Sequence, residues 1–147
     1  MRSLLLLLLC LSFLSCSVKR VNSPFVPIAD GLELSVKKIL SHKTYNDGAI
    51  NIAGKGGRFK RVMYRVKNTS DKDIAIDFDL VRLMNSRGTD YKPCFVFQNA
   101  KVTIVDQGEG HVLKAGKTRS FVAQYCEPFR KEEILSKVMV YDTIIRF

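Results

Sequence analysis

Imidazole is nearly absent from this sequence: His42 and His111 are the whole supply in 147 residues. Nucleophilic catalysis needs a base held beside the nucleophile. A small hydrolase would have to rest on Cys126 with His111, a pair with no local signature around it. Metal binding is poorly provided for as well. Cys94, His111 and Cys126 stand 17 and 15 residues apart, unlike the close ligand pairs of structural zinc sites. Met63, Met84 and Met139 are scattered, where a copper site would cluster them. The expectation is therefore no metal, no cofactor and no catalytic residue. Acidic side chains are also short, at 14 against 24 Lys plus Arg, for a formal charge of +10. Such a balance favours anionic surfaces such as lipid headgroups or anionic glycans, and it also suits a plain Lys-rich solvated surface. The chain has no sustained 3.6-residue period, no internal repeat and no low-complexity stretch after its first residues.

An apolar run of bilayer-spanning length, ~20 residues, is missing too. The longest run is at the N-terminus: Met1-Arg2-Ser3, six leucines from Leu4 to Leu9, then Cys10-Leu11-Ser12-Phe13-Leu14-Ser15-Cys16. One charge, a short apolar core and small residues at its end make residues 1–15 a secretory signal peptide. Phe13-Leu14-Ser15-Cys16 resembles a lipobox, the cleavage motif of bacterial lipoproteins, with Phe13 where Leu is usual. That resemblance implies cleavage before Cys16 and diacylglycerol on its sulfur, hence a membrane anchor. Cleavage after Ser17 is the competing outcome and leaves a soluble secreted chain starting at Val18. Losing Arg2 with the leader leaves 23 basic against 14 acidic side chains, or +9. Residues 16–28 then read as a tether. Pro24 and Pro27 prevent a helix there, and Lys19 and Arg20 suit an anionic membrane surface.

From residue 29 to 147 the hydrophobic period is two. Leu32, Leu34 and Val36 alternate with polar residues, as do Val62, Tyr64 and Val66, and then Ile74, Ile76, Phe78 and Leu80. Successive strand side chains point to opposite faces, so each of these segments reads as a half-buried strand. Asn46 to Arg58, with four glycines, reads as a loop. Asn68 to Asp73 and Asn85-Ser86-Arg87-Gly88 read as polar turns, and Lys114 to Lys117 as another. Phe95 to Phe97, Val102 to Val105 and Thr118 to Cys126 are further strands. Pro128 to Lys137 has room for one helical turn, and Val138 to Phe147 reads as a closing strand with Met139, Tyr141, Ile145 and Phe147 on one face. Seven to nine short strands separated by turns predict an all-β, antiparallel β-sandwich, with a small barrel as the alternative. Cys94 and Cys126 remain once Cys10 and Cys16 are assigned to leader and lipid. In an oxidising compartment they suggest one disulfide, worth about 3–4 kcal/mol in the chain-entropy picture. Two buried thiols would leave the fold unchanged.

The runs Val62-Met63-Tyr64-Arg65-Val66-Lys67-Asn68-Thr69-Ser70-Asp71-Lys72, Phe78-Asp79-Leu80-Val81-Arg82-Leu83, Asn85-Ser86-Arg87-Gly88-Thr89-Asp90-Tyr91 and Leu113-Lys114-Ala115-Gly116-Lys117-Thr118 resemble a family of bacterial extracytoplasmic immunoglobulin-like domains of unknown function. The resemblance spans residues 32 to 147 and implies an immunoglobulin-like sandwich behind a lipoprotein signal. It implies no activity. Ala115 stands where that family commonly has Pro.

Other chemistry is weakly encoded. Gly116-Lys117-Thr118 lacks the upstream glycine of a phosphate loop, since His111 holds that position, so no nucleotide is expected, and an exported chain makes nucleic acid a poor partner. Gly54-Lys55-Gly56-Gly57 reads as a flexible loop. Asp77 and Asp79 share a strand face and read as its solvent side. The remaining functional candidate is the basic run around Phe59 and Tyr64, from which Arg61, Arg65 and Lys67 should project on one sheet face. Two functions follow as expectations. One is a non-enzymatic, lipid-anchored module of the cell envelope that binds a protein or anionic envelope partner. The other is a soluble secreted inhibitor or effector using the basic face.

Overall fold

The computed structural model describes residues 17–99, 101–107 and 110–147. The expected signal peptide and the lipid site Cys16 lie outside the described residues. Strands β1 (Ser17–Arg20), β2 (Val26–Ala29), β3 (Leu32–His42), β4 (Thr44–Asn46), β5 (Ile50–Ile52), β6 (Gly57–Asn68), β7 (Ile74–Ile76) and β8 (Val81–Asn85) fill the first half. The second half holds β9 (Asp90–Tyr91), β10 (Phe95–Gln98), β11 (Lys101–Ile104), β12 (His111–Leu113), β13 (Thr118–Arg130), β14 (Leu135–Val140) and β15 (Thr143–Arg146). All pairings are antiparallel.

One layer is a large sheet in the order β1-β3-β6-β13-β10-β11, with β2 also paired to β3. The other side is built from β15-β14-β8-β9 and the short β12-β7 pair. Between them lies one core. It takes Leu34, Val36, Val62, Tyr64, Val66, Phe121, Ala123 and Tyr125 from the large sheet, and Leu83, Val138, Val140 and Ile145 from the opposite layer. Alternation along β3, β6 and β13 puts these residues on one face, so the core is a direct product of the two-residue period. The three long strands hold the sheet; β6 lies between β3 and β13 over most of its length.

Several expected boundaries differ. Residues 17–20 and 26–29 are strands, with Asn22 at φ 49° between them, so this segment is not a free tether. β1 pairs with one half of β3, Ser17 opposite Ser41 and Arg20 opposite Lys38, and β2 pairs with the other half, Val26 opposite Leu34. Between them the chain arches over a bulge at Lys37, whose carbonyl accepts from the N–H groups of Val21 and Asn22, both at 3.0 Å. The bulge interrupts the β3–β6 register between Val36 and Lys38. The loop expected from Asn46 to Arg58 holds strand β5, which pairs with β4 just before it as a hairpin. The expected strand from Ile74 to Val81 breaks at Asp77, whose carboxylate accepts from the Asp79 N–H at 2.8 Å and caps a 3-10 turn over Phe78–Leu80. Asp77 and Asp79 therefore do not line a strand face.

No helical turn occupies 128–137; β13 continues to Arg130 and a tight turn leads into β14. The closing segment is a hairpin, not one strand. Tyr141 takes φ 51° at the turn, and Val138 faces Ile145 across β14 and β15. Val138 and Val140 point inward in place of the expected Met139, while Ile145 is buried as expected and Tyr141 and Phe147 pack against the core. Gly88 at φ 87° and Gly116 at φ 66° occupy the left-handed region their turns require. Cys94 and Cys126 are disulfide-bonded, with Cα atoms 5.9 Å apart. The bridge ties the start of β10 to the point where β13 loses register with β6, between Tyr125 and Phe129.

Candidate interaction face

The face of the large sheet turned away from the core is not uniformly polar. Cross-strand register lines up two neighbouring rows on it. The first runs Val102, Phe97, Val122, Met63, Lys38, Arg20 across β11, β10, β13, β6, β3 and β1. The second runs Ile104, Phe95, Gln124, Arg61, Leu40, Val18. Apolar side chains fill the β11–β10 side of both rows; the first ends on the cations Lys38 and Arg20, while the second carries Arg61 in its middle and ends on Leu40 and Val18. Val18, Val102 and Ile104 are 53%, 54% and 43% exposed, although large apolar residues are ordinarily inside. The next two rows are Ser120, Arg65, Ser35 and Thr118, Lys67, Glu33 across β13, β6 and β3, so Glu33 is the one carboxylate in these four rows.

The three expected basic residues do share this face, and each is held differently. Arg61 donates from Nε to Gln124 Oε1 at 2.6 Å, and its guanidinium sits 5.8 Å from the Phe97 ring centroid. Arg65 is exposed and lies 5.2 Å over the Phe25 ring. Lys67 pairs with Glu33 at 3.3 Å on a half-open surface, an arrangement worth ~0–1 kcal/mol. Arg61 and Arg65 thus lie over aromatic rings, while Lys67 is paired with a carboxylate. Stacking suits Arg because its planar, weakly hydrated head tolerates an aromatic face.

Gln124 organises the middle of the face. It is 1% exposed, and its Oε1 also accepts from His42 Nε2 at 3.2 Å. Burial, and after it the Arg61 charge, holds the His42 pKa below its usual value, so the ring is neutral at pH 7 and donates from Nε2. Below this point the β4–β5 hairpin folds over the sheet. Tyr45 packs edge-on against Phe59 with centroids 4.7 Å apart, which buries Phe59 on an otherwise outward position.

Reading the sequence alone misses part of the cationic side. Arg20, Asn22, Lys37 and Lys38 line a surface cleft of about 310 Å³. A second of about 260 Å³ is lined by Asn22, Ser23, Pro24, Phe25, Ser35, Lys37 and Arg65. The signal was present as the dipeptides Lys19-Arg20 and Lys37-Lys38. Only the pairing of β1 with β3 shows that Arg20 and Lys38 are neighbours of the Arg61/Arg65 set.

The other residues singled out in the sequence are accounted for elsewhere. Cys126 is bonded to Cys94, so it offers no thiolate for a Cys126/His111 pair. His111 is buried and packs edge-on against Phe78 and Phe121, at 5.4 and 5.3 Å between centroids. Gly116-Lys117-Thr118 is a turn entering β13, with the Gly116 N–H donating to Ser70 O at 3.2 Å. Among the described residues no group of three or more His, Cys, Asp or Glu side chains could hold a metal ion.

No protein-family model matches the chain, and no curated protein matches it. Solved structures do. A conserved hypothetical protein from Bacillus anthracis superposes with TM-score 0.59 at 15% identity, over 86% of this chain and 92% of that one. An uncharacterized beta-sandwich protein from Clostridium difficile superposes with TM-score 0.54 at 11% identity, over 84% and 88%. This chain is an all-β sandwich. The yjhA protein from Bacillus subtilis shares the fold at TM-score 0.51 and 15% identity, over 78% and 76%. At these identities the likeness extends to the sandwich alone.

Proposed function

We propose that this β-sandwich is a non-enzymatic, lipid-anchored extracytoplasmic module, of the immunoglobulin-like kind its turn motifs resemble, that binds a protein or anionic envelope partner through the outer face of its large sheet. The observation that carries the reading is the composition of that face. Exposed Val102 and Ile104 flank Phe95 and Phe97, and the neighbouring strands bring Arg61, Arg65, Lys38 and Arg20 with a single carboxylate, already paired. An exposed apolar and aromatic patch with arginines beside it has the make-up of binding hot spots. The Cys94–Cys126 disulfide supports an oxidising compartment. The lipobox-like Phe13-Leu14-Ser15-Cys16 supports an anchor on Cys16.

Site-specific photocrosslinking in cells tests the partner face. A photoreactive amino acid at Val102 should give a discrete adduct that weakens when Arg65→Glu and Lys38→Glu are introduced together. The same probe at Val112, exposed on β12 in the opposite layer, should give none. Equal adducts at both positions, or an adduct indifferent to the charge reversals, would end the assignment of this face. Palmitate labelling with Cys16→Ala tests the anchor: undiminished label in the variant excludes lipid on Cys16. A mature chain starting at Val18 in a mass spectrum would replace the anchored form with a soluble secreted one.

A further inference from the structure

We infer that the β4–β5 hairpin is a second membrane contact, its Ile50 and Ile52 side chains resting in the lipid surface beside the acylated N-terminus. The inference rests on the lipid anchor of the proposed function.

Facing residues of an antiparallel pair project to the same side. Tyr45 faces Asn51, and both turn toward the body of the domain, where Tyr45 meets Phe59. Thr44 faces Ile52 and Asn46 faces Ile50, and these four turn away. Ile50 is 73% exposed and Ile52 72%. They are the two most exposed large hydrophobic side chains among the described residues. Nothing in the fold needs them apolar; a solvated hairpin would carry polar residues there.

Their position supplies the reason. Ser17, the residue after the lipid site, is a strand residue opposite Ser41. His42 and Lys43 follow, and the hairpin begins at Thr44. From Ser17 onward the chain is held at this corner of the sandwich, because residues 17–20 are fixed to β3 and residues 21–23 to its bulge. A lipid held at Cys16 therefore brings the bilayer within a few residues' reach of the hairpin. The occupant this geometry selects is the lipid surface itself. Lys43 and Lys55 stand at the base of the hairpin, Lys43 fixed there by donation to the carbonyls of Ala53 and Gly54 at 3.2 and 2.9 Å. Cations beside shallow apolar anchors match an anionic headgroup layer. The consequence is an orientation: two attachments set how the domain stands on the membrane, where a lipid alone would leave it free to swing.

The chain has no tryptophan, so one introduced indole reports its surroundings without background. Full-length lipidated Ile52→Trp would be purified and reconstituted into phosphatidylethanolamine/phosphatidylglycerol vesicles with and without brominated acyl chains. Val112→Trp is the control, since Val112 lies near Asn68 at the far end of β6, ~30 Å from Phe59 at strand spacing. Flotation comes first. Protein that fails to float has no anchor, which overturns both the anchor and this inference. In floating protein, a blue-shifted Ile52→Trp emission, quenched at least twofold by bromolipid while Val112→Trp is unaffected, is the expected result. Floating protein whose Ile52→Trp emission is water-like overturns the docking alone. A blue shift without bromolipid quenching assigns the hairpin to a second copy of the chain and likewise overturns it. Ile50→Trp gives the same readings if Ile52→Trp fails to fold by circular dichroism.

Discussion

Tyr64 and Tyr125 are fully buried beneath the interaction face, their hydroxyl oxygens 2.7 Å apart. Burial holds the phenol of each above its ordinary pKa, so both stay protonated and one donates to the other. Replacing either by Phe keeps the ring and removes one oxygen, leaving the other hydroxyl with no acceptor or donor across the gap. An unsatisfied buried hydroxyl costs ~1–3 kcal/mol. At roughly 4 °C per kcal/mol for a domain of this size, each single variant should melt about 4–12 °C lower. Replacing both removes the need as well as the bond, so Tyr64→Phe/Tyr125→Phe should lose less than about 1 kcal/mol. The double variant is then more stable than either single, with a coupling of at least about 1 kcal/mol. Urea unfolding followed by circular dichroism, with the disulfide kept oxidised, measures the full cycle. A double variant whose loss equals the sum of the two singles would refute the mutual bond.

Reducing Cys94–Cys126, or substituting Cys94→Ser together with Cys126→Ser, should lower stability by ~3–4 kcal/mol, because the bridge closes 32 residues of chain; an unchanged urea midpoint in reductant would contradict this. Stability should also fall with acid. Burial and Arg61 depress the His42 pKa in the fold, so the unfolded chain takes the proton first, below about pH 6.5. Stability is therefore full above that value and declines as pH drops toward the folded pKa. The decline between pH 7.5 and 5 should be shallower in His42→Gln, and parallel slopes for wild type and variant would remove His42 as its source.

Strand identity was legible because period two is a local property. Leu32, Leu34 and Val36, or Val62, Tyr64 and Val66, announce an inward face whatever they pair with. Turn residues were equally local: Gly88 and Gly116 take positive φ for reasons a dipeptide already contains. The segment from Ile74 to Val81 shows where this stops. Its alternation fits a strand, but the Asp77 carboxylate captures the Asp79 N–H and bends the chain instead, a competition that pattern alone does not rank. The final residues likewise alternate through Tyr141, where a turn divides them into two paired strands.

The chain's own order of residues therefore determined the all-β class, the inward residues at the start of β3 and along β6, and the presence of Arg61, Arg65 and Lys67 on one outward face. Tertiary structure decided which strands are neighbours. That choice put Arg20 and Lys38 beside the basic set, ran Val102 to Arg20 into one row, seated Gln124 between Arg61 and His42, and turned an expected tether into an edge strand. The physical reason is that alternation specifies a side chain's face but not its cross-strand partner. Partners depend on pairing between distant segments and on single-residue bulges such as Lys37, each of which shifts every later side chain by one position.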